Sequence, residues 1–226
     1  MVDKLTLKGS KDKWLPANLN SLENYLSVLL QENNHFTKPQ ITWLRKNIAY
    51  NLQSIEFLYR ISKDINLTSV LLTQNIKLFI ICGTSIIEGL FYYLVVTSGK
   101  KAKIWKSYKK IPTNPYSDGE NTFMLETEIF IEVSPLTSMT ITFDQMCRTV
   151  EKHKLLGDVE NLYKRLAYIR KLRNKIHIQD IKHSTDTDWY TFNEKEFKLM
   201  KNTLYVLLTS SLFSNSSPNS LFDYLR

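Results

Sequence analysis

The stretch LFIICGTSIIEGLFYYLVV, residues 78–96, decides the fold. It is nearly free of charge and close to the roughly 20 residues that cross a membrane as a helix. Glu88 lies near its middle, where an ionisable side chain is costly in lipid. Four small residues also fall within it, as in a helix that packs closely against protein: Gly83, Thr84, Ser85 and Gly89. We therefore predict a buried central helix and no membrane insertion, with a membrane-anchored protein as the lesser alternative.

The composition is that of a globular protein with a basic surface. The 226 residues are 43% hydrophobic and 23% charged, which excludes a disordered chain. The two cysteines, Cys82 and Cys147, lie far apart, which argues against a disulfide scaffold and favours a reducing cytoplasm. The opening MVDKLTLKGSKDKW lacks the apolar core of a secretory signal. A net charge of +8 favours a polyanionic partner such as nucleic acid, although proteins without such a partner also carry this charge.

Apolar residues at helical spacing occur on both sides of the central stretch and predict an all-α bundle. The predicted helices cover residues 21–31, 39–61, 68–97, 142–157, 158–180 and 193–213. Thr142, with Gln145 three residues later, has the pattern of a capping box at a helix start. Asp158 is placed as the cap of the next helix.

One short segment has strand character instead. TFMLETEIFIEV, residues 122–133, is rich in Phe, Ile and Val. We pair it with TSMTIT, residues 137–142, which makes a β-hairpin insertion over 122–142. Residues 1–226 are then one helical domain, with a loose N-terminal arm at 1–18 and a flexible tail at 214–226.

The segment YIRKLRNKIHIQD, residues 168–180, carries the candidate chemistry. On a helix of about 100° per residue, Arg170, Arg173, Asn174 and His177 fall on one face about 100° wide. An imidazole titrates near neutrality and can transfer a proton, and a guanidinium binds phosphate as a fork. With RNA, the neighbouring 2′-hydroxyl is the nucleophile, so no metal or cofactor is needed. On spacing alone, a solvated basic face is the commoner explanation of such a helix.

Other candidate residues surround this face. Glu88 is placed as the carboxylate that orients Arg170 or Arg173, with a structural partner such as a hydroxyl or Lys as an equal alternative. The side chains predicted to bind RNA are Lys100, Lys101, Lys103, Lys171 and Lys175. The remaining histidines, His35, His153 and His183, lack the spacing of metal ligands, so no metal site is predicted.

The segment resembles the HEPN superfamily, whose signature is an Arg separated by four to six residues from a His, often with Asn directly after an Arg. Arg170 and His177 enclose six residues, KLRNKI, and the pair Arg173-Asn174 lies just before His177. Either Arg170 or Arg173 can fill the family's catalytic position. The apolar SIIEGLFYYL is similar to the family's central helix, and the likeness covers residues 40–213. Gln179 stands where one toxin branch of the family has a Tyr, so silencing by modification of that Tyr is not predicted.

The resemblance implies an HEPN-like helical bundle that forms a homodimer, with two motif helices making one composite RNA site. It implies a cytoplasmic, metal-independent endoribonuclease that acts in antiviral defence or in a toxin–antitoxin pair, where an antitoxin or another defence protein is a further partner. His177 is then the general acid or base, Arg170 and Arg173 hold the scissile phosphate, and Asn174 positions them. The alternative is a non-catalytic HEPN module that binds RNA or nucleotide, or scaffolds a partner protein.

Overall fold

The computed structural model describes residues 17–100, 104–133, 141–159, 161–176, 183–184, 186–210 and 220–226. Within these ranges the protein is mainly helical with a small antiparallel β-structure, as predicted. Several predicted features lie outside the described residues: most of the N-terminal arm, most of the strand at 137–142, and much of the C-terminal tail.

The helices begin where the sequence signals place them at several points. Thr142 and Gln145 form the predicted capping box: the Gln145 N–H donates to Thr142 Oγ1 over 3.3 Å, and the Thr142 N–H donates to Gln145 Oε1 over 3.0 Å. Thr37 and Gln40 form a second capping box. The helices are α1 (Leu19–Leu29), α2 (Lys38–Asp64), α3 (Ser69–Thr97), α4 (Phe143–Lys152), α5 (Leu162–Asn174), α6 (Asp188–Thr191) and α7 (Glu194–Thr209), followed by a 3₁₀ helix at Ser220–Leu225.

Helix α3 is the centre of the bundle and contacts α2, α4, α5 and α7. Its glycines permit close approach of these neighbours. A Cβ atom at Gly83 would lie 2.8 Å from the sulfur of Met200, and one at Gly89 would lie 3.0 Å from the side chain of Ile48. By length and composition α3 could cross a membrane, and half of its most apolar window is buried inside the protein. The predicted central helix is therefore present, although Ser85 is exposed and does not pack against a neighbour.

The strands β1 (Ile104–Pro112), β2 (Tyr116–Asp118), β3 (Asn121–Phe123) and β4 (Glu126–Val133) form a β arm. β1 pairs with β4 and β2 pairs with β3, both antiparallel. The described partner of β4 is the basic run at 104–112, whereas residues 137–140 of the predicted partner lie outside the described residues and residues 141–142 form no strand. Opposite charge accompanies this pairing: Lys110 Nζ lies 2.9 Å from Glu126 Oε1. The insertion covers residues 104–133 in place of the predicted 122–142.

Candidate functional site

Helix α5 carries the motif arginines and has one buried and one basic side. Its buried residues are the predicted apolar stripe, Leu162, Leu166, Ile169 and Leu172. Between residues 162 and 175 the sequence has six Lys or Arg and no Asp or Glu. The exposed residues include Lys164, Lys171, Asn174 and Lys175. The helix therefore presents a strongly cationic surface beside the bundle.

Helix α5 is shorter at both ends than predicted. It begins at Leu162, after Asn161 in a left-handed conformation with φ 58°. Asp158 does not cap it, because the carboxylate of Asp158 lies 2.7 Å from Lys154 Nζ.

At the other end of α5, Lys175 leaves the helix with ψ near 2°, and its N–H donates to the Leu172 carbonyl over 3.1 Å. Arg170, Arg173 and Asn174 thus lie on α5, whereas His177 lies outside the described residues. The prediction that one α-helix continues through residue 177 is wrong, because the described helix ends at Asn174.

Arg170 is held by a carboxylate from α4. Its Nη1 atom lies 2.7 Å from Asp144 Oδ1, and the other oxygen of Asp144 lies 2.8 Å from Arg148 Nε. The Arg170 side chain is 25% exposed and that of Arg148 is 73% exposed. Asp144 therefore bridges a half-buried guanidinium on α5 and an exposed one on α4. This bridge fixes one side of the Arg170 fork and ties the two helices together.

The predicted contact of Glu88 with an arginine is not formed. Glu88 is half-buried on α3, and among the described residues it makes no ion pair with Arg170 or Arg173. Asp144 takes that role because α4 packs beside α5, and sequence reasoning missed this residue. The charges of Glu88 and Arg170 both reach the thiol of Cys147, which places the three groups in one neighbourhood.

Cys147 lies buried next to this cluster and is not a nucleophile at neutral pH. Burial is the largest cause that raises the pKa of its thiol to about 12. The nearby positive charge of Arg170 lowers this pKa, while the carboxylates of Asp144, Glu88 and Glu151 raise it. Since only the thiolate is strongly nucleophilic, the cysteine contributes packing and not covalent catalysis.

Arg173 and Asn174 differ from Arg170 because their side chains bind no other residue in the described part of the chain. Arg173 is half-buried and Asn174 is exposed, and neither side chain has a hydrogen-bond or ion-pair partner among the described residues. The structure therefore brings together one guanidinium that is already bound to a carboxylate and one that is available to an anion. Both remain candidates for the phosphate-binding arginine.

The predicted RNA-binding lysines fall into two groups. Lys171 and Lys175 are exposed on the last turns of α5, and Lys175 Nζ lies 3.2 Å from Asp186 Oδ1. Lys100 is exposed just before the β arm, while Lys101 and Lys103 lie outside the described residues. The strand that follows this second group is paired with the acidic strand β4, which offsets its positive charge. The lysines of α5 are thus the stronger candidates for contact with a polyanion.

A buried carboxylate that the sequence did not reveal, Glu196, lies against another side of α5. Tyr168 donates to Glu196 Oε1 over 2.9 Å, and the other oxygen of this buried carboxylate has no hydrogen-bond partner in the described part of the chain. Burial, followed by this contact with Glu196, raises the pKa of Tyr168 to about 12. Tyr168 is therefore a neutral donor near pH 7 that ties α5 to the first turn of α7.

Neither a metal centre nor an enclosed pocket marks the site. Within the described parts of the chain, no group of three or more His, Cys, Asp or Glu side chains is placed to hold a metal ion. A pocket of about 250 Å³ lies among α3, α6 and α7, where Leu72, Ile76, Trp189 and Phe192 are part of its lining. None of the predicted site residues lines this pocket. The candidate site is instead an open, cationic surface along α5.

Comparison of the chain with family models, with curated proteins and with solved structures finds no match in any of the three. The resemblance to HEPN proteins therefore rests on the residues of the motif and of the central helix.

Proposed function

We propose that the protein is a metal-independent endoribonuclease of the HEPN type that works as a homodimer. The 2′-hydroxyl of RNA attacks the adjacent phosphorus while the bond from phosphorus to the 5′-oxygen breaks. The products are a 2′,3′-cyclic phosphate and a 5′-hydroxyl, and no water is consumed in this step. His177 takes the proton of the 2′-hydroxyl or gives one to the leaving oxygen. Arg170 and Arg173 stabilise the charge on the phosphate, and Asn174 positions the groups.

The observation that carries the proposal is the position of Arg170. Its guanidinium is half-buried and held at 2.7 Å by Asp144, in a segment, residues 162–175, that has six basic residues and no acidic ones. A guanidinium with one side fixed is pre-organised to bind phosphate with its remaining N–H groups. Arg173 and Asn174 lie one turn further on, four and three residues before His177 in the sequence. The same residues form the motif by which the chain resembles HEPN ribonucleases.

The setting of this activity follows from the resemblance. A ribonuclease of this class acts in the cytoplasm on cellular or viral RNA and requires neither a metal nor a cofactor. In a defence system or a toxin–antitoxin pair, a further partner, an antitoxin or a defence protein, would restrain the nuclease.

One observation favours a second function, a non-catalytic module that binds RNA or nucleotide or scaffolds a partner. Asp144 already occupies one side of Arg170 and also binds Arg148. Such a bridge is common where an arginine has a purely structural role between two helices. In that case the basic surface of α5 would bind RNA through its lysines without turnover.

Incubation of the purified protein with end-labelled RNA in excess EDTA separates the two functions. We expect RNA cleavage to persist in EDTA, because no step in the proposed reaction uses a metal. The cleavage activity should also elute together with the protein on gel filtration. RNA binding without cleavage, in EDTA and with added Mg²⁺ alike, would favour the module. Cleavage that EDTA abolishes would contradict the proposal.

A further inference from the structure

Helix α2 exposes three aromatic side chains at seven-residue spacing. Trp43, Tyr50 and Phe57 are 63%, 49% and 42% exposed. Residues seven apart in an α-helix lie nearly above one another, with a drift of about 20°. The three rings therefore form one stripe along the helix. It lies opposite the buried side of α2, which includes Ile48 and Ile55.

Helix α3 carries a matching stripe with the same spacing. Leu71, Leu78 and Tyr92 are exposed, and Ser85 occupies the remaining position of the series. Central helices of soluble bundles usually hide residues of this kind, and three large exposed apolar residues in one row on such a helix are uncommon.

The two stripes lie side by side. Helices α2 and α3 are antiparallel neighbours, with Ile48 against Gly89 and with Asn75 Nδ2 donating to the Leu58 carbonyl over 2.9 Å. This register sets Trp43 level with Tyr92 and Phe57 level with Leu78.

Both stripes also face the same way. Met200 of α7 packs on the Gly83 side of α3, and the Leu30 carbonyl, just after α1, accepts hydrogen bonds from Arg45 on the buried side of α2. At about 100° per residue, both stripes then point away from α1 and α7, on one side of the helix pair.

We propose that this α2–α3 face, formed by Trp43, Tyr50, Phe57, Leu71, Leu78 and Tyr92, is the surface on which a second copy of the chain docks. From their exposed fractions of 38% to 63%, these six residues alone offer on the order of 600 Å² per copy. A standard stable interface buries about 800 Å² per partner, which the polar residues at the edge of the face can complete. The dimer therefore has the area it needs.

The charge of the α2–α3 face also favours a second copy of the chain over a polyanion as its partner. The exposed residues Asn47, Ser54, Gln74 and Ser85 within the face carry no charge, and the charged residues beside it are Lys46 at the edge of the α2 stripe and Glu88 at the edge of the α3 stripe. A polyanion or an anionic lipid surface would require cations at this place. A second α2–α3 face is equally apolar at its centre, so two copies match across a two-fold axis with Lys46 and Glu88 at the edge of the interface.

The α2–α3 face adjoins the candidate site. The role of the dimer in RNA cleavage rests on the proposed function. On α3, Glu88 lies at the edge of the stripe, between Ser85 and Tyr92, and its charge reaches Cys147 beside Arg170. A dimer across this face therefore has the Arg170–Asp144 bridge of each copy beside its interface.

Sedimentation analysis of the full chain and of three variants tests this surface. We expect the wild type to be a dimer at micromolar concentration. Tyr50→Glu and Leu78→Glu should each raise the dimer dissociation constant by about 100-fold or more, because the two-fold axis places every new charge in the interface twice. Asn202→Glu is the control for the added charge: Asn202 is exposed on α7, from which both stripes point away, and its replacement should leave the dimer intact. Circular dichroism of each variant checks that it is folded.

A wild type that is monomeric at these concentrations would overturn the inference, whether or not it binds vesicles of phosphatidylcholine with phosphatidylglycerol. Dimers that persist in both Tyr50→Glu and Leu78→Glu would also overturn it. RNA cleavage is scored separately. A dimer that dissociates on these substitutions supports the surface even if it never cleaves RNA, which would reject the nuclease alone. A monomer that cleaves RNA would reject the surface and leave the nuclease in place.

Discussion

His177→Ala is expected to lower EDTA-resistant RNA cleavage by about 100-fold to 10,000-fold while leaving RNA binding nearly unchanged. An imidazole can gain and lose a proton near neutral pH, whereas the cations that we propose to bind RNA lie on α5 and directly after it. Single-turnover cleavage of a labelled RNA and a filter-binding assay measure the two quantities on the same preparation.

His153→Ala is the matched control for this substitution. His153 is an exposed histidine directly after α4, outside the motif, and its replacement should leave cleavage within a few-fold of the wild type. Equal activity of His177→Ala and wild type would remove the imidazole from the mechanism. An equal loss in both variants would point to a general effect of removing a histidine.

Arg170→Ala is expected to lower cleavage by about 100-fold or more, because it removes a donor that stabilises charge on the phosphate. Arg148→Ala provides an unusually close control. Arg148 binds the same carboxylate, Asp144, at 2.8 Å against 2.7 Å for Arg170, but it lies on α4 and is far more exposed. We expect Arg148→Ala to retain activity within a few-fold.

The comparison of the two arginines separates a chemical role from a structural one. If the Asp144 bridge only ties α4 to α5, both substitutions should have similar effects on thermal stability and small effects on cleavage. A loss of cleavage in Arg148→Ala as large as that in Arg170→Ala would contradict the assignment of Arg170 to the phosphate. Arg173→Ala, measured alongside, shows whether the second guanidinium shares the role.

The helical core could be predicted because its signals are local. Thr142 and Gln145, within four residues of each other, predict the start of α4. Gly83 and Gly89 within an apolar run indicate a helix in close contact with other helices. The β arm could not be paired correctly for the opposite reason. Its described side chains are exposed, so β1 shows no alternation of apolar and polar residues. Its partner is set in part by the charge of β4, which lies far along the chain.

The candidate site was predicted only in part. The arginines and Asn174 follow from the motif, but the end of α5 carries no glycine or proline to mark it. The position of Asp144 in the first turn of α4 can be explained from the sequence alone, because a carboxylate there interacts favourably with the helix dipole. Its second role, holding Arg170, depends on how α4 and α5 pack and has no sequence signature.

Cleavage of an RNA that carries a single 2′-deoxynucleotide at the cut position, in EDTA, tests the central claim most directly. The all-ribose RNA should yield a 2′,3′-cyclic phosphate and a 5′-hydroxyl, and the substituted RNA should stay intact at that position, because its attacking oxygen is missing. Cleavage of both RNAs at the same rate, or products with a 3′-hydroxyl and a 5′-phosphate, would contradict attack by the 2′-hydroxyl and with it the proposed function.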